Sequence, residues 1–220
     1  ILKSKSKEES QIGKKIIGYL EKNLGLSQKN QIPICQDTGI VVVFLKIGQN
    51  VNIQGIGIED AINEGIRQGY REGYLRKSLV DDPIRRKNTN DNTPGIIHYE
   101  IVPGNKLEIT VAPKGFGSEN MSKVYMLKPS DGIEGIKESV IKTVLDAGPN
   151  ACPPMVVGVG IGGNFEYCTY LAKKAIIRSI EERSKIEDIK KLEIELLEEI
   201  NMLGIGPGGL GGRITALGVN

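Results

Sequence analysis

Val41-Val-Val-Phe-Leu-Lys-Ile47 is a short run rich in β-branched residues, and such a run reads as a buried strand. A turn at Pro33 precedes it. The stretch 59–77 that follows carries Ile62, Ile66, Tyr70 and Tyr74 four apart, one face of a helix. Upstream, Ile12, Ile16, Ile17, Leu20 and Leu24 recur near a 3.6-residue period and predict a helix over 8–25. Downstream, residues 81–95 hold too much Asn, Asp and Pro for a regular element. Strands are expected around 96–102 and 106–112, with Pro103-Gly-Asn105 as a hairpin turn between them. Then come a Gly-rich loop at 114–120, a helix at about 131–147, a strand over 155–159, helices at 165–180 and 187–202, and a second Gly-rich loop at 204–212. Helices alternate with strands and a hairpin is also present. The expected fold is therefore mixed α/β (α+β), with short mixed β-sheets flanked by helices in a single domain spanning 1–220.

Composition narrows the function. With 39% hydrophobic and 25% charged residues the chain is ordinary for a globular protein. No stretch approaches about twenty apolar residues, so no transmembrane helix is expected. The start, Ile1-Leu-Lys-Ser-Lys-Ser-Lys7, lacks the apolar segment of a secretory signal and an initiator Met, so the true N-terminus is expected upstream. Net charge is +2, from 29 basic and 27 acidic residues, which gives no electrostatic case for nucleic acid as a partner. Three cysteines are too few and too odd a number for a disulfide scaffold, and argue for reduced thiols in a cytoplasm-like compartment. With no Trp and 5% aromatics, the core must be built from Ile, Val, Leu and Ala.

Two of the cysteines share a setting. Cys35 lies in Pro33-Ile-Cys-Gln-Asp-Thr-Gly39, where a thiol, an amide, a carboxylate and a hydroxyl crowd a turn before a buried strand. A cysteine is usually a small buried hydrophobe. The polar neighbours favour a ligand or nucleophile instead. Cys152, in Gly148-Pro-Asn-Ala-Cys-Pro-Pro154, again precedes an apolar strand, and Cys followed by Pro recurs at iron–sulfur ligands, a weak signal alone. Their separation, 152 − 35 = 117, is too long for a zinc-finger pattern. Cys168 sits with Phe165, Leu171, Ala172 and Ala175 at helical spacing and reads as a core thiol. His98 lies in a strand, and a structural role is favoured for it. A Cys35/His98 hydrolase lacks a visible third member. The backbone of Gly115-Phe-Gly-Ser118 resembles no phosphate loop, although such a nest of N–H groups suits a carboxylate.

Taken in order, several segments resemble one family. They are Pro33-Ile-Cys-Gln-Asp-Thr-Gly39, Gly73-Tyr-Leu-Arg-Lys-Ser78, Asn88-Thr-x-Asp-Asn-Thr-Pro94 and Ala112-Pro-Lys-Gly-x-Gly-Ser-Glu-Asn-Met121, followed by Met126-Leu-Lys-Pro-Ser-Asp-Gly132, Ala147-Gly-Pro-Asn-x-Cys-Pro-Pro154, Val157-Gly-Val-Gly-Ile-Gly-Gly163 and Leu203-Gly-Ile-Gly-Pro-x-Gly-Leu-Gly-Gly212. The ordered set resembles the alpha subunit of two-subunit class I fumarases and L-tartrate dehydratases. The resemblance implies a [4Fe–4S] cluster held by three cysteines, two of them matching Cys35 and Cys152. The third is expected beyond Asn220, where this chain closes on what reads as the start of a strand. It implies Asp37 as proton donor to the departing hydroxyl, and Gln36, Arg76, Gly115 and Gly117 as substrate contacts. Arg76 would hold a carboxylate, which a guanidinium can do with two parallel hydrogen bonds. It further implies a beta subunit that completes the active site of a hetero-oligomer, a small dicarboxylate substrate and a cytoplasmic location. The leading expectation is reversible hydration of fumarate to malate, with L-tartrate dehydration as the alternative. A cofactor-free scaffold with core cysteines and a cysteine-nucleophile enzyme are the competing classes.

Overall fold

The computed structural model describes residues 1–35 and 37–220. In chain order the elements are α1 (Leu2–Lys5), α2 (Gln11–Asn30), β1 (Ile40–Gly48), α3 (Ile58–Glu72), β2 (Ile96–Val102), β3 (Leu107–Lys114), α4 (Phe116–Glu119), α5 (Gly132–Ala147), β4 (Met155–Val157), α6 (Phe165–Ala175), α7 (Glu187–Met202) and β5 (Ala216–Val219). Helices with small mixed sheets are the expected class. The chain divides into two compact units, one of Leu26–Phe116 and one of Ile1–Gly25 with Gly117–Asn220. Among the described residues no helix is long and apolar enough to cross a membrane.

The unit Leu26–Phe116 is built around β1. Val41, Val42, Val43 and Leu45 are each at most 2% exposed. A strand apolar on both faces belongs in the middle of a sheet, and the order is β2-β1-β3, parallel to β2 and antiparallel to β3. Val43 thus stands opposite Ile97 on one side and Val111 on the other. The hairpin expected between β2 and β3 does not form. Their connection instead passes over the end of β1, where Gln49 donates to the Val102 carbonyl (2.8 Å), Asn50 to that of Gly104 (2.9 Å) and Gly48 to that of Lys106 (2.8 Å). Pairing β2 with β3 would have left the most apolar strand at an edge. The edge strands expose Ile101, Ile109 and Val111 instead. Ile66 and Tyr70 of α3 pack onto Val41, Val43 and Leu45. The helix stops at Glu72, short of the predicted 77, because Gly73 caps it and Tyr74 takes a left-handed φ of 52°, leaving the apolar face and standing in solvent.

The other unit packs α5 and α7 against the parallel pair β4–β5 around Val140, Val144, Leu196, Ile200, Ala216 and Val219. The element α7 matches the predicted 187–202, and α6 ends at Ala175 rather than 180. No residue of α6 is fully buried, so the core face read for it is not one: Phe165 is 66% exposed and Cys168 half-buried. The Cys168 thiol donates to the Phe165 carbonyl at 3.5 Å.

A carboxylate ties the two ends of this unit together. Glu8 is 1% exposed and accepts the N–H groups of Ser10 (2.9 Å), Arg213 (3.0 Å) and Ile214 (2.7 Å). Burial pushes its pKa up, and the backbone hydrogen bonds outweigh that and hold it below the ordinary range. A depressed folded-state pKa stabilises above the unfolded value, about 4.3, and the gain is lost as pH falls through the folded value. Glu8→Ala should cost about 3 kcal/mol at neutral pH, since it strands one buried and two part-buried donors. Denaturant midpoints measured at descending pH should show the gap between wild type and variant narrowing in acid. A gap independent of pH would mean the stabilisation is not that of the ionised carboxylate.

Candidate active site

The loop that carries Cys35 and Asp37 is fixed at its far end by Gly39. This residue takes a left-handed φ of 57°, and a β-carbon there would lie 1.9 Å from the Lys114 carbonyl oxygen, so only glycine fits. The Gly39 carbonyl accepts two hydrogen bonds, from the Tyr70 hydroxyl (3.0 Å) and from Asn92 Nδ2 (2.7 Å). Asn92 is fully buried with a left-handed φ of 63°, a conformation Asn tolerates better than most residues. Its Oδ1 accepts the amides of Ser78 (3.0 Å) and Leu79 (2.9 Å). Burial pushes the Tyr70 hydroxyl pKa up, and the Asp37 carboxylate nearby adds to the rise.

Asp37 is half-buried and lies against Gly115, where a β-carbon would come within 3.2 Å of the Asp37 carbonyl oxygen and 3.3 Å of its Oδ2. Cys35 is exposed. Arg76 is exposed in the segment after α3 and pairs with no carboxylate among the described residues. That segment is held from the Asn-rich loop: Asn88 donates to the Lys77 carbonyl (3.0 Å) and the Thr89 amide to that of Leu79 (3.0 Å). The loop is itself braced by Asp91. Burial pushes its carboxyl up, but hydrogen bonds from Thr93 and Arg67 outweigh this and bring it down to about 2. Gln36 lies outside the described residues.

Cys152 and Gly117 belong to the other unit. Cys152 follows the 3₁₀ turn Gly148–Ala151, is exposed, and takes a left-handed conformation, φ 55° and ψ 59°, that non-glycine residues seldom adopt. Its amide donates to the Pro149 carbonyl at 3.0 Å. The 204–212 loop, ambiguous from sequence, backs this turn. A β-carbon on Gly209 would meet the Pro149 Cβ at 2.4 Å, and the Gly208 amide donates to the Pro153 carbonyl at 2.7 Å. Gly117 approaches the same turn, its missing β-carbon 3.4 Å from the Asn150 carbonyl oxygen. The stretch 114–120 is not one open loop, because β3 runs to Lys114 and α4 forms a helical turn over Phe116–Glu119.

The structure therefore brings Asp37 and Gly115 together and fixes the loop behind them. Two exposed thiols, Cys35 and Cys152, fit soft-metal ligation. Among the described residues no group of three or more His, Cys, Asp or Glu side chains is gathered as a metal site. His98 stacks on Phe44 of the neighbouring strand, ring centroids 5.1 Å apart, a packing role. Sequence reasoning missed Tyr70 and Asn92. A tyrosine on a buried helix face needs a partner for its hydroxyl, and Asn in a turn tolerates a positive φ. Those were the available signals.

Comparison with known proteins gives the family. The family model described as fumarate hydratase (Fumerase) matches residues 1–220. The chain belongs to that family and is a hydro-lyase by class. Among its relatives, the protein named "Putative L(+)-tartrate dehydratase subunit alpha" of Methanocaldococcus jannaschii is 48% identical over 97% of this chain and 76% of its own length. The L(+)-tartrate dehydratase subunit alpha of Escherichia coli strain UTI89 is 34% identical over 98% of this chain and 72% of its own, and that of strain K12 is 33% identical over the same shares.

The exposures predict an order of thiol reactivity. In the metal-free, reduced chain Cys35 and Cys152 should react with a disulfide reagent in a fast phase and Cys168 in a slower one. Mass mapping of the modified peptides checks this. Cys168 reacting first would contradict the arrangement.

Proposed function

We propose that this chain is the alpha subunit of an iron–sulfur hydro-lyase acting on a small dicarboxylate, with L-tartrate as the first candidate substrate and fumarate/malate as the second. The observation that carries the reading is the 48% identity, over nearly the whole chain, to a protein named for L(+)-tartrate dehydratase. The sequence alone put fumarate first. The names of the quoted relatives reverse that order, while the description of the family keeps fumarate hydration as the second reading. Those relatives are named as alpha subunits, which supports a hetero-oligomer completed by a beta subunit. Three free thiols suit a reducing, cytoplasm-like compartment.

Cys35 and Cys152 would hold two irons of a [4Fe–4S] cluster. The cluster, when bound, supplies a Lewis acid that makes hydroxide a better leaving group. Asp37 donates the proton that lets the hydroxyl depart as water. It lies against Gly115. Arg76, with no internal carboxylate partner among the described residues, is left to take one carboxylate of the substrate in a planar fork. Gln36 and the backbone at Gly115 and Gly117 complete this chain's share of the contacts.

The test is anaerobic reconstitution of the chain with its partner subunit, followed by turnover on L-tartrate, fumarate and malate. L-tartrate should give the highest kcat/KM. A preference for fumarate and malate would establish the second reading, and no turnover on any of the three would reject both. Asp37→Asn keeps the shape and removes the transferable proton, so kcat should fall by about 10²- to 10⁴-fold with iron content and KM largely kept. Cys35→Ser and Cys152→Ser should each strip most of the iron, whereas Cys168→Ala should not. Near-normal turnover in Asp37→Asn would remove it as the acid, and iron lost only from Cys168→Ala would overturn the ligand assignment.

A further inference from the structure

Resting on the roles proposed for Asp37 and Arg76, we infer that Asn92 is a positioning residue whose two polar ends set two different kinetic constants. Both ends of its amide are used. Oδ1 holds the amides of Ser78 and Leu79, and Nδ2 holds the Gly39 carbonyl. Ser78 is two residues beyond Arg76, and Gly39 is two residues beyond Asp37. One fully buried side chain thus spans from the substrate-carboxylate segment to the acid-bearing loop. The carbonyl it grips has a second donor, the Tyr70 hydroxyl, which fills both acceptor positions of that oxygen. On the other side, Asn88 and Thr89 hold Lys77 and Leu79, so the Arg76 segment has further support.

The chemistry of the amide separates the two ends. Asn92→Asp keeps an oxygen for Ser78 and Leu79 and tolerates the positive φ, but it replaces the donor facing Gly39 with an oxygen. The Asp37 loop is loosened while the Arg76 segment stays held. Displacement of a reacting group by about 1 Å can cost about 100-fold, so kcat should fall about 10- to 100-fold with KM within about twofold. Asn92→Gly suits the backbone and removes both ends. It should lower kcat similarly and also raise KM about tenfold. Tyr70→Phe keeps the ring and removes the second donor, so it should lower kcat by a smaller factor with KM unchanged.

The experiment is steady-state kinetics of these variants in the reconstituted two-subunit enzyme, alongside amide hydrogen exchange of the metal-free chain. Asn92→Asp should speed exchange in peptides covering 37–40 and spare those covering 77–80, and Asn92→Gly should speed both. A folded Asn92→Asp that keeps kcat within twofold overturns the inference, as does Asn92→Asp raising KM as much as Asn92→Gly does. If Asn92→Asp does not fold, unchanged kcat in Tyr70→Phe overturns it instead. Asp37→Asn and Arg76→Lys are run in the same assay. If neither changes kcat or KM, the reading of the site has failed, and the exchange pattern still judges the tether by itself.

Discussion

The carbonyl of Gly39 is gripped by the Tyr70 hydroxyl and the Asn92 amide while its α-carbon is pressed against the Lys114 carbonyl. A hydrogen bond of this kind contributes about 1 kcal/mol net, but a buried carbonyl left without partners costs more than that. Three segments distant in sequence are thereby held to one point: the end of α3, the Asn-rich loop and the end of β3. The strand β1 leaves this point into the core, and the loop bearing Cys35 and Asp37 arrives at it. The departure angle of that loop is set by a glycine that no other residue can replace without a clash. Asp37 is in turn set against Gly115, the next residue after the β3 terminus that Gly39 touches.

Much of the fold was legible because the pattern of apolar residues decided it. The helices α5 and α7 and the strands β1 and β2 carry strong local periodicity or a continuous apolar run. The pairing of β2 and β3 was not legible. A short turn between two strands ordinarily signals a hairpin, and here it lost to the burial demand of β1, a nine-residue strand apolar on both sides. Strand order is a competition among strands, and a local reading weighs only neighbours. The end of α3 was misread for a related reason, since Tyr74 keeps the four-residue spacing yet stands beyond a glycine cap in solvent.

The candidate site was legible in part. Cys35 and Cys152 stand in polar turns ahead of apolar strands, and that setting singled them out. The role of Asn92 was missed because its partners lie 13, 14 and 53 residues away. Glu8 was missed for the same reason, with backbone partners more than 200 residues away. The Gly-rich 204–212 loop had no readable purpose until its close approach to the Cys152 turn was seen. Family membership then adds the hydro-lyase chemistry that no spacing of residues in this chain could disclose.

In the proposed function Asp37 and Arg76 serve one dicarboxylate from a loop and a segment that Asn92 joins. An anaerobic crystal structure of the chain with its partner subunit and a bound dicarboxylate tests this most directly. It should show the Arg76 guanidinium on one carboxylate of the ligand and the Asp37 carboxyl within hydrogen-bond reach of the same molecule, with the Gly39 carbonyl still holding both donors. A dicarboxylate bound with no contact to Asp37 or Arg76 would contradict the account.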